Sequence, residues 1–178
     1  MKTAANLVLV GPMGAGKSSI GKRLAHALAL EFVDADRVLE ARTGASVADI
    51  FACEGEAGFR RRESALLAEL LSGHDQLIAT GGGVVLAPAN RALLAREAWV
   101  VHLDVGVDEQ LRRLSRDRTR PLLQRPDREA VLTAMAAERA PFYAEVADLR
   151  LSTDGCTPEQ ACRVLLPRIR EAWRGEAA

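Results

Sequence analysis

Short apolar runs alternate along this chain with longer stretches in which apolar residues recur at helical spacing. The runs predict strands at Asn6–Val10, Glu31–Val33, Gln76–Ala79, Trp99–Leu103 and Leu149–Leu151. Strands that alternate with helices are typical of a parallel sheet covered by helices on both faces. We therefore predict an α/β protein with three layers, α/β/α, built around a five-stranded parallel sheet.

The stretches between these strands predict helices. Their expected bounds are Lys17–Leu30, Glu56–Leu71, Val107–Ser115, Arg128–Ala147 and Pro158–Trp173. Ser46 stands three residues before Asp49, a spacing that predicts a capped helix start. In the helix over 56–71 we expect the following side chains to face the core: Phe59, Leu66, Leu67 and Leu70.

A glycine-rich loop joins the first strand to the first helix. Residues 11–18, Gly-Pro-Met-Gly-Ala-Gly-Lys-Ser, match the phosphate-loop pattern G-x-x-x-x-G-K-[ST] in the required strand-to-helix context. In such a loop, backbone N–H groups surround phosphate oxygens, Lys17 reaches the β- and γ-phosphates, and the Ser18 hydroxyl binds Mg²⁺. The residues predicted to bind the nucleotide here are Gly14, Ala15, Gly16, Lys17, Ser18 and Ser19.

Two acidic residues follow the second predicted strand. If the strand continues through Asp34 and Asp36, both carboxylates point toward the crevice at the carboxyl ends of the sheet. One could hold a metal ion through water, and the other could accept the proton of an attacking hydroxyl. The alternative interpretation is that Asp36 is the N-cap of a helix.

Two further segments lack regular periodicity. Gly81–Gly83 follows the third strand, where the absence of side chains lets a ligand approach the backbone closely. Residues 116–127 combine prolines with arginines between two helices, and they predict a mobile excursion from the core. For most of these arginines, a solvated surface is the alternative explanation.

Six short motifs together resemble those of shikimate kinases. They are GPMGAGKSS at 11–19, DAD at 34–36, GEAGFRRRE at 55–63, TGGG at 80–83, RPLL at 120–123 and ERAPFY at 138–143. The resemblance covers essentially the whole chain and implies a single domain over residues 1–178 with the P-loop kinase fold of nucleoside monophosphate kinases. It implies substrate binding at about 34–63 and a mobile lid at about 114–127. The implied reaction transfers the γ-phosphoryl of MgATP to the 3-hydroxyl of shikimate, on the route to chorismate and aromatic amino acids.

The resemblance also implies roles for residues around the acceptor. Asp36 would hold the shikimate hydroxyls and orient or deprotonate the attacking one. Arg60 and Arg139 would grip the shikimate carboxylate, while Gly82 would contact the ring through its backbone. Guanidinium groups suit this task because they recognise a planar carboxylate through two parallel hydrogen bonds.

On the nucleotide side, the resemblance implies that Ser18 binds Mg²⁺ with Asp34 close to the ion. Arg120 would belong to the lid and, with Lys17, would stabilise the charge on the transferred phosphoryl group. Arg113 would lie against the adenine. Lid closure would exclude water, which otherwise competes as a phosphoryl acceptor.

Other proteins with a phosphate loop remain as alternatives. A Ras-type GTPase would show Asn-Lys-x-Asp and Asp-x-x-Gly motifs, and an adenylate kinase a run such as Asp-Gly-Phe-Pro-Arg, none of which occurs here. A kinase for gluconate shares the loop, but Arg60 and Arg139 with the triple glycine favour shikimate. A nucleotide-dependent switch without turnover would leave the set Asp36, Arg60 and Arg139 unexplained.

Composition sets the context of this hypothesis. Lys plus Arg and Asp plus Glu both number 24, so the formal net charge is zero, and we expect no binding to nucleic acid or to a membrane. Cys53, Cys156 and Cys162 form no CxxC pair, which predicts reduced, buried thiols and a cytoplasmic protein. We expect a monomer that binds ATP, ADP and shikimate, in which His102 is a packing residue.

Overall fold

The computed structural model describes residues 4–115 and 125–173. Its strands are β1 (Asn6–Val10), β2 (Glu31–Asp34), β3 (Gln76–Ala79), β4 (Ala98–Asp104) and β5 (Leu149–Ser152). They form one parallel sheet in the order β2-β3-β1-β4-β5. The five predicted strands are confirmed, and no end is displaced by more than one residue.

The helices cover both faces of this sheet. They are α1 (Lys17–Leu28), α2 (Ala35–Thr43), α3 (Val47–Leu71), α4 (Pro88–Glu97), α5 (Val107–Arg113), α6 (Arg128–Val146) and α7 (Pro158–Ala172). A 3₁₀ turn at Val84–Leu86 follows the glycine run. Helix α4 is an addition to the sequence prediction, and α2 was indicated only by the alternative interpretation of Asp36. Helices α1, α5, α6 and α7 confirm predicted helices with slightly earlier ends.

Alternate residues of β1 face opposite layers, as the pleat of a strand requires. Leu7 and Leu9 pack in one core with α1 and α7. Val8 and Val10 pack in a second core with α2, α3, α4 and α6. All four side chains have 0% exposure, because β1 lies at the centre of the sheet. The predicted three-layer arrangement is confirmed.

Helix α3 consists of two segments joined at Gly55. This residue has φ 69° and ψ 178°, outside the helical region. The first segment begins with the predicted capping box, in which Ser46 Oγ accepts from Asp49 N–H at 3.1 Å and Asp49 Oδ2 accepts from Ser46 N–H at 3.3 Å. The second segment coincides with the predicted helix over 56–71, and its four expected core residues are buried.

The order of the strands determines where a ligand can bind. From β1 the chain moves to β2 and back to β3 on one side, and then to β4 and β5 on the other. Ligands of parallel sheets bind outside the carboxyl ends of the strands at such a reversal. The phosphate loop leaves β1 at this point. None of the described helices combines the length and hydropathy of a membrane span.

The three cysteines are free thiols. Cys156 and Cys162 are half-buried, but Cys53 is exposed on α3, so the prediction of a buried thiol is wrong there. Cys53 lies in the first segment of α3, two residues before the break at Gly55, on a side of the helix that faces solvent.

Candidate active site

The phosphate loop rests on the backbone of the neighbouring strand. Gly11, Gly14 and Gly16 have φ angles of 147°, 78° and 92°, which residues with a β-carbon rarely adopt. A β-carbon at Gly11 would also lie 2.1 Å from the carbonyl oxygen of Leu103 in β4. Glycine is therefore required at the first position of the loop by both conformation and space.

Lys17 folds back over this loop. Its Nζ donates to the carbonyl oxygens of Gly11 at 2.7 Å and Pro12 at 2.9 Å. Helix α1 begins at Lys17, and its N-cap, Gly16, has no side chain that could compete for the first N–H groups. The ammonium group and the positive end of the helix dipole therefore both favour an anion such as a phosphate at the loop.

The two residues predicted to bind Mg²⁺ are in direct contact. Ser18 Oγ donates to Asp34 Oδ2 at 2.7 Å, which links the first turn of α1 to the end of β2. Asp34 is also the N-cap of α2, where Oδ1 accepts from Arg37 N–H at 3.4 Å. A hydroxyl and a carboxylate are hard oxygen ligands of the kind that Mg²⁺ prefers, so this pair fits the ion.

The condition under which Asp34 and Asp36 would both extend from one strand is not met. Strand β2 ends at Asp34, and Asp36 lies in the first turn of α2. The alternative N-cap at Asp36 is wrong as well, because Asp34 caps this helix. The turn still brings Asp36 to the glycine run, since a β-carbon at Gly81 would lie 3.2 Å from Asp36 Oδ1.

Two charged side chains of α3 lie against the same glycines. Arg60 Nη1 donates to Glu63 Oε2 at 2.7 Å, and the two side chains are 21% and 5% exposed. A β-carbon at Gly83 would lie 2.2 Å from Arg60 Nη2, and one at Gly81 would lie 2.8 Å from Glu63 Oε1. The glycine run therefore provides the space in which these charged groups reach the backbone.

Arg139 approaches the glycine run from α6. A β-carbon at Gly82 would lie 3.5 Å from Arg139 Nη1 and 3.4 Å from the carbonyl oxygen of Gly11. Gly82 is thus placed between a guanidinium group and the phosphate loop. The Nε of Arg139 is buried without a hydrogen-bond partner among the described residues.

These charges act on one another. Burial raises the pKa of the Glu63 carboxyl above its usual range, and the negative charge of Asp36 adds to this rise. The positive charges of Arg60 and Arg139 oppose it. Two carboxylates and two guanidinium groups therefore form one coupled cluster around Gly81–Gly83. An acceptor that carries both a carboxylate and hydroxyl groups is complementary to such a cluster.

Arg113 joins the phosphate loop to the end of β5. Its Nη1 donates to the carbonyl oxygen of Gly14 at 2.9 Å and to Thr153 Oγ1 at 3.1 Å. Its Nη2 donates to the carbonyl oxygen of Thr153, and its Nε pairs with Glu109 at 2.7 Å. These contacts hold the guanidinium beside the nucleotide-binding loop, and its predicted contact with adenine stays a prediction.

Some predicted residues have no described side-chain hydrogen bond at this site. Arg120 and most of the predicted lid, 114–127, lie outside the described residues. In the phosphate loop and the first turn of α1, Ala15 is buried and Ser19 is exposed. The predicted contacts of Ala15 and Ser19 with the nucleotide stay predictions.

A cleft of about 150 Å³, lined in part by Arg139, lies between the phosphate loop, β4 and α6. His102 lines it, with a side chain that is 6% exposed and ring nitrogens that have no hydrogen-bond partner among the described residues. Burial lowers the pKa of His102 from 6.5 to about 4, against an opposing effect of Asp104. The imidazole is therefore neutral at physiological pH, in agreement with its prediction as a packing residue.

This histidine gives a testable pH dependence. Because the folded protein binds the His102 proton more weakly than the unfolded chain, its contribution to stability is complete above pH 6.5 and is lost as the pH falls toward 4. We expect the free energy of unfolding of wild type, relative to His102→Phe, to fall by about 3 kcal/mol between pH 7 and pH 4. Urea denaturation at several pH values measures this difference, and parallel losses in the two proteins would contradict it.

Glu63 and Tyr143 belong to the site although no role was predicted for either. Glu63 belongs to a quoted motif, and its spacing of three residues from Arg60 on a helix is the signal that could have indicated a pair. Tyr143 ends another quoted motif, and its hydroxyl donates to the carbonyl oxygen of Gly82 at 2.6 Å. Nothing in the local sequence of Tyr143 predicts that distant contact.

Known proteins resemble this chain over nearly its whole length. The family described as "Shikimate kinase" matches residues 13–170. The chain belongs to the shikimate kinase family. It is 54% identical over 178 residues to the shikimate kinase of Xanthomonas oryzae pv. oryzae strain PXO99A, covering 100% of this chain and 99% of that one.

Further shikimate kinases resemble it over nearly their whole length. The shikimate kinase of Stenotrophomonas maltophilia strain R551-3 is 53% identical over 174 residues, with 98% of this chain and 97% of that protein covered. The structure of the Acinetobacter baumannii shikimate kinase in complex with shikimate matches with a TM-score of 0.90 and 41% identity, covering 95% of this chain and 94% of that one. The predicted P-loop kinase fold is thereby confirmed.

Proposed function

We propose that this enzyme transfers the γ-phosphoryl group of ATP to the 3-hydroxyl of shikimate. One observation supports this most strongly: Arg60 of α3 lies against Gly83 and Arg139 of α6 lies against the adjacent Gly82, beside the phosphate loop. Two guanidinium groups can each offer parallel N–H donors to one carboxylate. Gluconate also carries a carboxylate, but membership of the shikimate kinase family favours shikimate.

The residues of the chain divide the reaction between them. Arg60 and Arg139 bind the shikimate carboxylate and so fix the ring in position. Asp36 accepts the proton of the 3-hydroxyl. The hydroxyl oxygen forms a bond to the γ-phosphorus while the bond between this phosphorus and the bridging oxygen of the β-phosphate breaks, and ADP leaves. Lys17 stabilises the phosphoryl oxygens, and Arg120, outside the described residues, is proposed to act with it from the lid.

We propose Ser18 and Asp34 as the residues that hold Mg²⁺, with Ser18 Oγ as a ligand and Asp34 through water. When bound, the ion neutralises charge on the β- and γ-phosphates. The protein supplies the position: the contact of Ser18 with Asp34 already places two oxygen atoms 2.7 Å apart next to the loop.

An Asp34→Asn variant tests this assignment. The amide keeps the shape of the side chain and an oxygen for the N-cap of α2, but it removes the charge. We expect the Mg²⁺ concentration that gives half-maximal activity to rise about 10- to 100-fold, the effect typical of a residue that orients a metal ligand. Titration of activity with MgCl₂ at saturating ATP measures this, and excess Mg²⁺ should restore the rate. An unchanged Mg²⁺ requirement would refute the assignment.

We also propose that the enzyme is a single-domain, cytoplasmic monomer that binds neither nucleic acid nor membranes. Three free cysteines agree with a reducing compartment. The formal net charge of zero offers no long-range attraction to polyanions.

An ADP-release assay tests the proposed reaction. Purified enzyme with MgATP receives shikimate, gluconate, AMP or no acceptor in parallel reactions. We expect acceptor-dependent ADP release with shikimate alone. Release with gluconate or AMP would make the protein a related kinase, and tight ATP binding without release in any reaction would favour a nucleotide-dependent switch.

A further inference from the structure

The glycine run at 81–83 is anchored at each of its carbonyl oxygens. Gly81 accepts from Val84 N–H at 3.3 Å, and Gly83 accepts from Leu86 N–H at 3.0 Å, both within the 3₁₀ turn that follows. The middle carbonyl, that of Gly82, accepts from Tyr143 Oη at 2.6 Å. The turn thus holds two of the three carbonyls, while the central one is held from a different element, α6.

Tyr143 is itself fixed on both sides. Its side chain is buried, with 3% exposure, and its ring stacks on His102 of β4 with a centroid distance of 4.7 Å and an interplanar angle of 22°. A buried phenol hydroxyl needs a hydrogen-bond partner, and here the carbonyl of Gly82 is that partner. The ring packing sets the position of the hydroxyl, and the hydroxyl in turn sets the orientation of the Gly82–Gly83 peptide.

Arg139 lies one helical turn before Tyr143 on α6, so the two side chains project from the same face. Arg139 Nη1 and Tyr143 Oη would lie 3.5 and 3.6 Å from a β-carbon at Gly82. One helix therefore delivers the proposed carboxylate-binding group and the tether of the glycine backbone to the same residue. Glycine has the widest conformational freedom of all residues, so Gly82 gains most from an external constraint.

We propose that Tyr143 is a positioning residue for the acceptor. Its hydroxyl fixes the position of the Gly82 backbone relative to the Arg139 guanidinium group. This inference rests on the proposed function, which assigns Gly82 and Arg139 to shikimate binding. Tyr143 acts through these two residues and takes no part in the chemistry, so its loss should affect the binding of the acceptor more than the binding of ATP or the turnover number.

A Tyr143→Phe variant isolates the hydroxyl, because it retains the ring that stacks on His102. We expect KM for shikimate to rise about three- to tenfold, the effect of losing one hydrogen bond at a buried acceptor. KM for ATP and kcat should change by less than about twofold, within the context dependence of such contacts. The control is Thr133→Val, which removes another hydroxyl of α6 that bonds a carbonyl, at 2.9 Å to Glu129. It should leave both KM values unchanged.

The outcomes separate positioning from a general structural role. An unchanged KM for shikimate in a folded Tyr143→Phe variant would overturn the inference, as would equal increases in both KM values. In a double-mutant cycle with Arg139→Lys, the increases in KM for shikimate should combine less than additively in free energy. Both variants disturb the same arrangement of Arg139 relative to Gly82. Full additivity would also overturn it. A wild type that does not use shikimate would overturn the proposed function and, with it, this inference.

Discussion

Replacing Asp36 by Asn is expected to lower kcat with shikimate by about 10²- to 10⁴-fold, the usual contribution of a positioned general base. The carboxylate lies beside Gly81, in the first turn of α2, next to the residues that we assign to the acceptor. An amide retains the size of the side chain and can still bond a hydroxyl, but it cannot take the proton. The loss should therefore appear in kcat, with a smaller change in KM for shikimate.

Steady-state kinetics over a range of pH measure this effect. At each pH the kcat of Asp36→Asn should stay far below that of wild type, because the amide cannot accept the proton of the 3-hydroxyl. Asp108→Asn is a matched control, because Asp108 is an exposed carboxylate in the first turn of α5. If the rate of Asp36→Asn stays within a few-fold of wild type, Asp36 is not the base.

Arg139→Ala is expected to cause a large fall in kcat/KM for shikimate. Truncating one partner of a desolvated charge pair costs about 2 to 5 kcal/mol. At about 1.4 kcal/mol per factor of ten, this corresponds to a loss of roughly thirty-fold to several thousand-fold. Most of the change should lie in KM for shikimate. Arg139→Lys should lose less, because lysine keeps the charge but not the two-pronged geometry.

The carboxamide of shikimate provides the decisive control for this prediction. It lacks the negative charge that Arg139 is proposed to bind, so wild type should use it poorly and Arg139→Ala should reduce its turnover much less. A variant that loses the same factor with both acceptors would contradict a carboxylate-binding role. Thermal melting should accompany the kinetics, since Arg139 also lowers the pKa of the buried Glu63.

Elements with a strong local signal could be predicted from the sequence. The five strands are apolar runs buried in the sheet. The loop Gly11–Ser18 has glycines at the positions where the backbone adopts positive φ angles. Helix α4 has no comparable pattern: within Pro88–Glu97, the buried residues are Asn90 and Leu94, so its amphipathic face is narrow. Such a helix is stabilised by its packing against β4 and α3 more than by its own sequence.

The candidate site was predictable as a set of residues but not as a geometry. The sequence and its family resemblance indicated Asp36, Arg60 and Arg139. Strand β2 ends at Asp34 because the side chain of this residue caps α2. Local propensity alone would also have allowed the strand to continue. The buried position of Glu63 depends on contacts of α3 with the glycine run, which are distant in sequence and leave no periodic signal.

The bonds from Lys17 to the carbonyls of its own loop bear on how fast a nucleotide can be captured. The backbone turns at Gly11, Gly14 and Gly16 hold the loop in a curved conformation, so we expect phosphate binding to need little change in the main chain of the loop. The Lys17 ammonium group, in contrast, has to turn from these carbonyl oxygens toward the phosphates, and rotation about side-chain bonds takes picoseconds to nanoseconds. We therefore expect capture by the loop to depend on diffusional encounter and on the loss of water from the phosphates more than on rearrangement of the loop.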